Sequence, residues 1–118
     1  KNFWVDNCIR YLIDNPKIES AFYGYKTSKN FWELKKGKWK RIRNWMRIYS
    51  SRQIRKTIVR EDTGLACASR AELWRKGKRI GNRVKIFLNN DNFSHIDIHN
   101  LEDLKLAESA IQIRKDNK

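Results

Sequence analysis

The chain has 118 residues, 40% of them apolar and 12% aromatic, which is enough for one small core and argues against wholesale disorder. Its net charge is +14, and nothing in it approaches the roughly 18 consecutive apolar residues of a membrane span. One Pro and five Gly leave no Pro/Gly-rich linker, and two cysteines without a CxxC or CxxH pair exclude a zinc finger on ligand count.

These bounds point to a single domain over residues 1–118. Because the first residue is Lys1, the chain is expected to be a fragment or a processed product, with any targeting signal outside it. Cys8 and Cys67 are far apart in apolar surroundings and read as free thiols of a reduced, intracellular protein of the cytoplasm, nucleoid or nucleus.

Residues 2–14 place Phe3, Trp4, Cys8, Tyr11 and Leu12 near helical spacing, with Asp6, Asn7, Arg10 and Asp14 opposite. Asn15-Pro16 then reads as a stop and a new start, so a second short helix is predicted over Pro16–Tyr23, ended by Gly24. This neutral part, residues 1–25, is the expected helical scaffold. From Lys29 to Tyr49 large apolar residues recur at three- and four-residue steps, which suits a helix. Gly37 breaks that pattern, and the alternative is a hairpin with strands Phe31–Leu34 and Trp39–Arg43.

Ile54, Ile58 and Val59 suggest a helix over Arg52–Asp62, closed by Thr63-Gly64. Ser69 is placed to cap another, Arg70–Lys76, with Ala71 and Trp74 turned inward. A helix, a Gly-containing turn and a second basic helix have the outline of a helix-turn-helix. Arg83–Leu88 alternates like a strand, Asn89–Asn92 is a strong turn, and Phe93–His99 alternates again, which predicts a β-hairpin. Asn100 caps a closing helix over Leu101–Lys115, with Glu102 and Asp103 in its first turn and Arg114 and Lys115 in its last. The expected fold is therefore α+β: a mostly helical small domain with a helix-turn-helix-like pair, a following hairpin in winged-helix-like order, and a C-terminal helix.

Function is carried by charge. Lys26–Leu88 holds 20 Lys/Arg against 4 Asp/Glu, a net of +16, while residues 1–25 sum to zero and residues 89–118 to −2. A block of that density with neutral flanks is the footprint of a polyanion partner, here nucleic acid, with DNA ahead of RNA. In the winged-helix layout Arg70 and Arg75 are the candidates for reading guanine, with Ser69 and Lys76 on the same helix. Lys78, Arg79 and Arg83 would hold phosphates beside the hairpin, and Lys40, Arg41, Arg43 and Arg47 would clamp the backbone. The tryptophans suit stacking on unpaired bases, but Trp39, Trp45 and Trp74 share spacing with aliphatic residues and are assigned to the core, Trp32 less firmly.

One group has a chemical flavour. His95, Asp97 and His99 fall on one face of a predicted strand and suggest an acid–base pair or part of a metal site for phosphodiester cleavage. The two histidines would stand about 13 Å apart along that strand, and the three residues equally describe a polar outer face. No P-loop, GxGxxG or HNH-type spacing occurs, and no cofactor or metal is implied. The leading expectation is thus a non-catalytic nucleic-acid-binding domain for duplex DNA. A basic nuclease using His95, Asp97 and His99, and a coat protein without sequence preference, are the rivals.

Overall fold

The computed structural model describes residues 3–47, 58–91, 93–94 and 96–118. Among these, 35% are helical and 27% lie in strands, so the fold is α+β but not mostly helical. The elements in chain order are α1 (Trp4–Asp14), β1 (Ser20–Thr27), β2 (Trp32–Lys35), β3 (Lys38–Arg41), a 3-10 turn (Asn44–Arg47), β4 (Ile58–Glu61), β5 (Cys67–Ser69), α2 (Ala71–Arg75), β6 (Val84–Leu88) and α3 (Leu101–Asp116). They fall into two compact units, residues 1–25 with 61–118, and residues 26–60. No described helix is long and apolar enough to cross a membrane.

The first unit is organised around β1. Its residues Ser20–Gly24 are all buried, and both edges are occupied. β5 pairs antiparallel with it, Ala21 opposite Ala68, and β6 runs parallel along it, Ala21 opposite Lys85. β4 also pairs with β1. The helix expected over Pro16–Tyr23 is therefore replaced by a central strand. A continuous buried run has no period of two or of 3.6 to read, and the aromatics Phe22, Tyr23 and Tyr25 favour the pleated state.

α1 forms where its spacing predicts and lies against this sheet. Cys8 and Leu12 are buried with Ala21, Tyr23 and Ala66, and Trp4, Ile18, Leu65, Ala68 and Phe87 pack around them. The alanines keep the sheet surface low where the helix approaches. Tyr23 is the hinge of the aromatic set: it stacks on Phe87 at 5.2 Å and takes the edge of Trp4 at 6.4 Å. Its hydroxyl accepts from Asn7 Nδ2 at 3.1 Å, so its polar end is satisfied inside the packing.

Two expected motifs are corrected. The helix over Arg52–Asp62 falls partly on residues 52–57, outside the described residues, and Ile58–Glu61 is strand β4. With no helix at 58–61 to precede it, the five-residue α2 has no helix-turn-helix partner there. The second strand of the wing is not found among the described residues either. β6 is present, but Phe93–His99 is not a strand among the described residues, and β6 pairs with β1 instead. The Asn-rich turn is real, yet it curls the chain. Asn89 Oδ1 accepts from the Asp91 amide at 3.0 Å, Asp91 Oδ1 accepts from the Phe93 amide at 3.0 Å, and Asn89 Nδ2 donates to Ser94 Oγ at 2.6 Å. Arg114 of α3 pairs with Asp91, which ties the closing helix to the same turn. α3 itself starts as predicted, its first turn capped by Asn100 Oδ1 accepting from the Asp103 amide at 2.8 Å.

The second unit contains a β-hairpin, the alternative reading of residues 29–49, while residues 48–49 lie outside the described part. β2 and β3 pair antiparallel from Trp32 opposite Arg41 to Lys35 opposite Lys38. Lys36 (φ 51) and Gly37 (φ 73) both have positive φ, as a two-residue type I′ turn requires, and that turn matches the strand twist. Past the strands, the Ile42 amide donates to the Phe31 carbonyl at 3.0 Å, and the Phe31 amide points at Met46 Sδ at 3.5 Å. Met46 is fully buried and anchors the hairpin base.

Both cysteines are free. Burial pushes the Cys8 thiol up to about 11 from 9.0, with Cys67 nearby adding to the rise. Native protein treated with iodoacetamide at pH 8 should therefore leave Cys8 unmodified until denaturant is added, as peptide mass mapping would show. Because this pKa is raised on folding, its contribution to stability is complete below pH 9 and is lost as the pH climbs towards 11. Wild type and Cys8→Ala should converge in stability across that window.

Candidate nucleic-acid interface

The division into units is also a division of charge. Residues 26–60 hold 13 Lys/Arg and a single acid, Glu33, for a net of +12; the rest of the chain holds 14 and 12, for a net of +2. The basic block therefore belongs chiefly to the hairpin unit.

Strand register sorts the hairpin side chains. Residues directly opposite in an antiparallel pair share a face, and alternate residues follow them. Trp32, Leu34, Trp39 and Arg41 thus form one face, and Glu33, Lys35, Lys38 and Lys40 the other. Every residue of both strands is exposed. Trp39 is 67% exposed, Leu34 60% and Trp32 44%, so these aromatics are not core, contrary to the assignment that spacing suggested for Trp39. The Arg41 guanidinium lies 4.2 Å from the Trp32 ring centroid, which holds one side of that ring and fixes a cation beside it.

The opposite face repels itself. Lys35 and Lys38 are directly opposed, and Lys36 sits beside them in the turn. Lys35, Lys36, Lys38 and Lys40 alone line a shallow concavity at the hairpin tip. Glu33, opposite Lys40, is the one acid available. Among the described residues none of these lysines is in a salt bridge. Like charges opposed across strands destabilise a hairpin, and a two-stranded ribbon has little stability in hand.

The ten residues singled out from the sequence divide between the units. Lys40 and Arg41 are on β3, Arg43 follows it, and Arg47 ends the 3-10 turn, all four exposed in the hairpin unit. Arg70, Arg75, Lys76, Lys78, Arg79 and Arg83 belong to the other unit. Arg75, Lys76, Lys78 and Arg79 are exposed on and after α2. Arg83 is engaged, its Nε donating to the Lys17 carbonyl at 2.9 Å and standing 3.7 Å from Glu19. The Arg83 backbone amide, first, and its guanidinium then hold the Glu19 carboxyl below the usual carboxylate range.

Arg70 has a different task from the one its position suggested. Its Nε donates to the Ile18 carbonyl at 2.8 Å, and its Nη2 donates to the carbonyls of Leu12 at 2.8 Å and Asn15 at 3.0 Å. A fixed cation there satisfies orphan carbonyls at the C-terminal end of α1 and locks the helix to the strand that follows. Its side chain serves the fold.

His95 lies outside the described residues, Asp97 and His99 are exposed on a non-strand segment, and the nearest acid to His99 is Asp103, at 3.9 Å from Nδ1. No cluster of three or more metal-binding side chains occurs among the described residues. Sequence reasoning passed over Lys35, Lys36 and Lys38 as site residues and sent Trp39 inward. The signal for all of them was Gly37 between two lysines, which marks a hairpin and so turns a helical stripe into an exposed two-faced ribbon.

Arg70→Ala should lower stability by about 2 kcal/mol in urea titration, since it strands carbonyls that a charged donor had satisfied. Arg70→Lys, with one point donor in place of the planar fork, should recover less than half of that loss. No protein-family model matches this chain, and no curated protein does.

Proposed function

We propose that the protein binds nucleic acid, without cleaving it, through the hairpin unit. The observation that carries this reading is the concentration of +12 net charge in residues 26–60, with four lysines around one concavity and almost no acid to neutralise them. Phosphates in a polynucleotide supply the missing counter-charge in a row, and each lysine placed at one releases condensed cations. The repulsion that weakens the free hairpin becomes attraction in the complex.

Duplex DNA is the expected ligand where a recognition helix and wing are present to suit its grooves. Those elements are not what the fold provides, so a preference for duplex loses its support while the polyanion reading keeps its own. Exposed Arg75, Lys76, Lys78 and Arg79 add a second, smaller cationic stretch on the other unit.

Labelled DNA and RNA titrated across salt provide the test. Binding should weaken steeply with salt and be indifferent to EDTA. Combining Lys35→Ala, Lys36→Ala, Lys38→Ala and Lys40→Ala should flatten the log–log salt slope by roughly 3, at about 0.7–0.9 per lost phosphate contact. A slope left intact by those four changes would remove the hairpin from the interface. Fragments on a denaturing gel would replace this reading with the nuclease.

A further inference from the structure

We infer that the hairpin unit takes unpaired bases, so that its ligand is single-stranded nucleic acid in preference to duplex; this rests on the nucleic-acid reading above. The inference comes from the face opposite the lysines. Trp32, Leu34 and Trp39 are exposed together on a ribbon whose other side, turn and flanks are cationic. Water-exposed tryptophan on a small hairpin costs solubility and invites association unless something flat and apolar covers it. Two kinds of surface meet that description, an apolar protein patch and a nucleobase. The charge decides between them: a partner that covers Trp39 also comes against Lys38, Lys40 and Arg41, and only a nucleobase brings its own phosphate with it.

The geometry favours bases that are not stacked on one another. Trp32 and Trp39 are diagonal neighbours across the strands, which sets the Cα atoms that carry the two rings about 7–8 Å apart. That is more than twice the rise of about 3.4 Å per nucleotide in a stacked strand. The two rings therefore suit two separated bases, as in an extended strand, and the closed stack of a duplex offers neither ring a base face. Arg41 covers one side of the Trp32 ring and leaves the other for a base, with its charge beside the adjoining phosphate. Stacking of this kind tolerates any base, since every base has a π-face, and it needs no helix in a groove.

The test compares equal-length single-stranded DNA, single-stranded RNA, duplex DNA and an abasic deoxyribose-phosphate strand, using wild type, Trp39→Ala and Trp39→Phe. A single strand of either sugar should bind tighter than duplex and abasic strand, with quenching of tryptophan fluorescence. Trp39→Ala should weaken single-strand binding about tenfold, leave duplex and abasic binding unchanged, and keep the salt slope, because no cation is lost. Trp39→Phe should retain most of the affinity while the quench shrinks, a result that loss of folding cannot mimic. Circular dichroism on both variants guards the comparison, and Trp39 at 67% exposure holds no core in place. Duplex bound as tightly as single strand, or Trp39→Ala without effect on the single strand, overturns the inference and leaves the nucleic-acid reading standing. Binding to none of the four ligands overturns both.

Discussion

Ser20 to Gly24 is covered on both faces and both edges, so each backbone N–H and C=O along it must find a partner inside the protein. The rest of the first unit is arranged to supply those partners. The Tyr23 amide donates to the Ala66 carbonyl at 3.2 Å and its carbonyl accepts from the Asp62 amide at 3.0 Å, while the Asn89 amide donates to Gly24 at 2.9 Å. Hydroxyls close the upstream end. Ser20 Oγ and Ser69 Oγ are 2.8 Å apart, Ser20 Oγ accepts from the Gly81 amide, and Ser69 Oγ donates to the Arg79 carbonyl at 2.6 Å. Gly81 has no alternative there, since a Cβ would stand 2.8 Å from the Glu19 side chain. Segments from four parts of the chain thus converge on five residues, and α1 is held over them by Tyr23 and Arg70.

The hairpin unit obeys the opposite rule. Strands β2 and β3 are exposed throughout, their turn is set by two left-handed residues, and Met46 is the one fully buried side chain among the unit's described residues. Packing contributes little to such a ribbon, and its cross-strand charges subtract from that little. The first unit can be understood from burial alone. In the second, the opposed lysines and exposed tryptophans are features that burial does not account for, and they are what the proposed polyanionic partner would engage.

Sequence reading succeeded where a local signal had one interpretation. α1 has an unbroken 3.6 period, α3 has its Asn100 cap and dipole-matched ends, and Asn89–Asp91 bonds to its own amides whatever the surroundings. It failed where the signal was two-sided. The run around Phe22 is equally a buried helix or a buried strand, and what decides is pairing with β5 and β6, some 45 and 65 residues away. Phe93–His99 alternates as a strand should, yet its described residues form none: β6 pairs with β1, and the Asn89 and Asp91 side chains bond to the amides and hydroxyl that follow them and curl the chain. The candidate site was half legible. Its charge was plain from composition, whereas the tryptophan face was hidden because Trp32, Trp39 and Trp45 mimic a helical stripe until Gly37 is given its positive φ.

The chain leaves the first unit along β1 and returns to it along β4, and those two strands are neighbours in one sheet. Residues 26–60 are therefore an excursion between adjacent strands. Such a site accommodates insertion and deletion, because lengthening an excursion costs little closure entropy and disturbs no buried partner. In a lineage carrying this fold, the ribbon would be free to change length, charge and aromatic content, while Ala21, Tyr23 and Arg70 stayed put. The domain is in that sense a holder with an exchangeable bit.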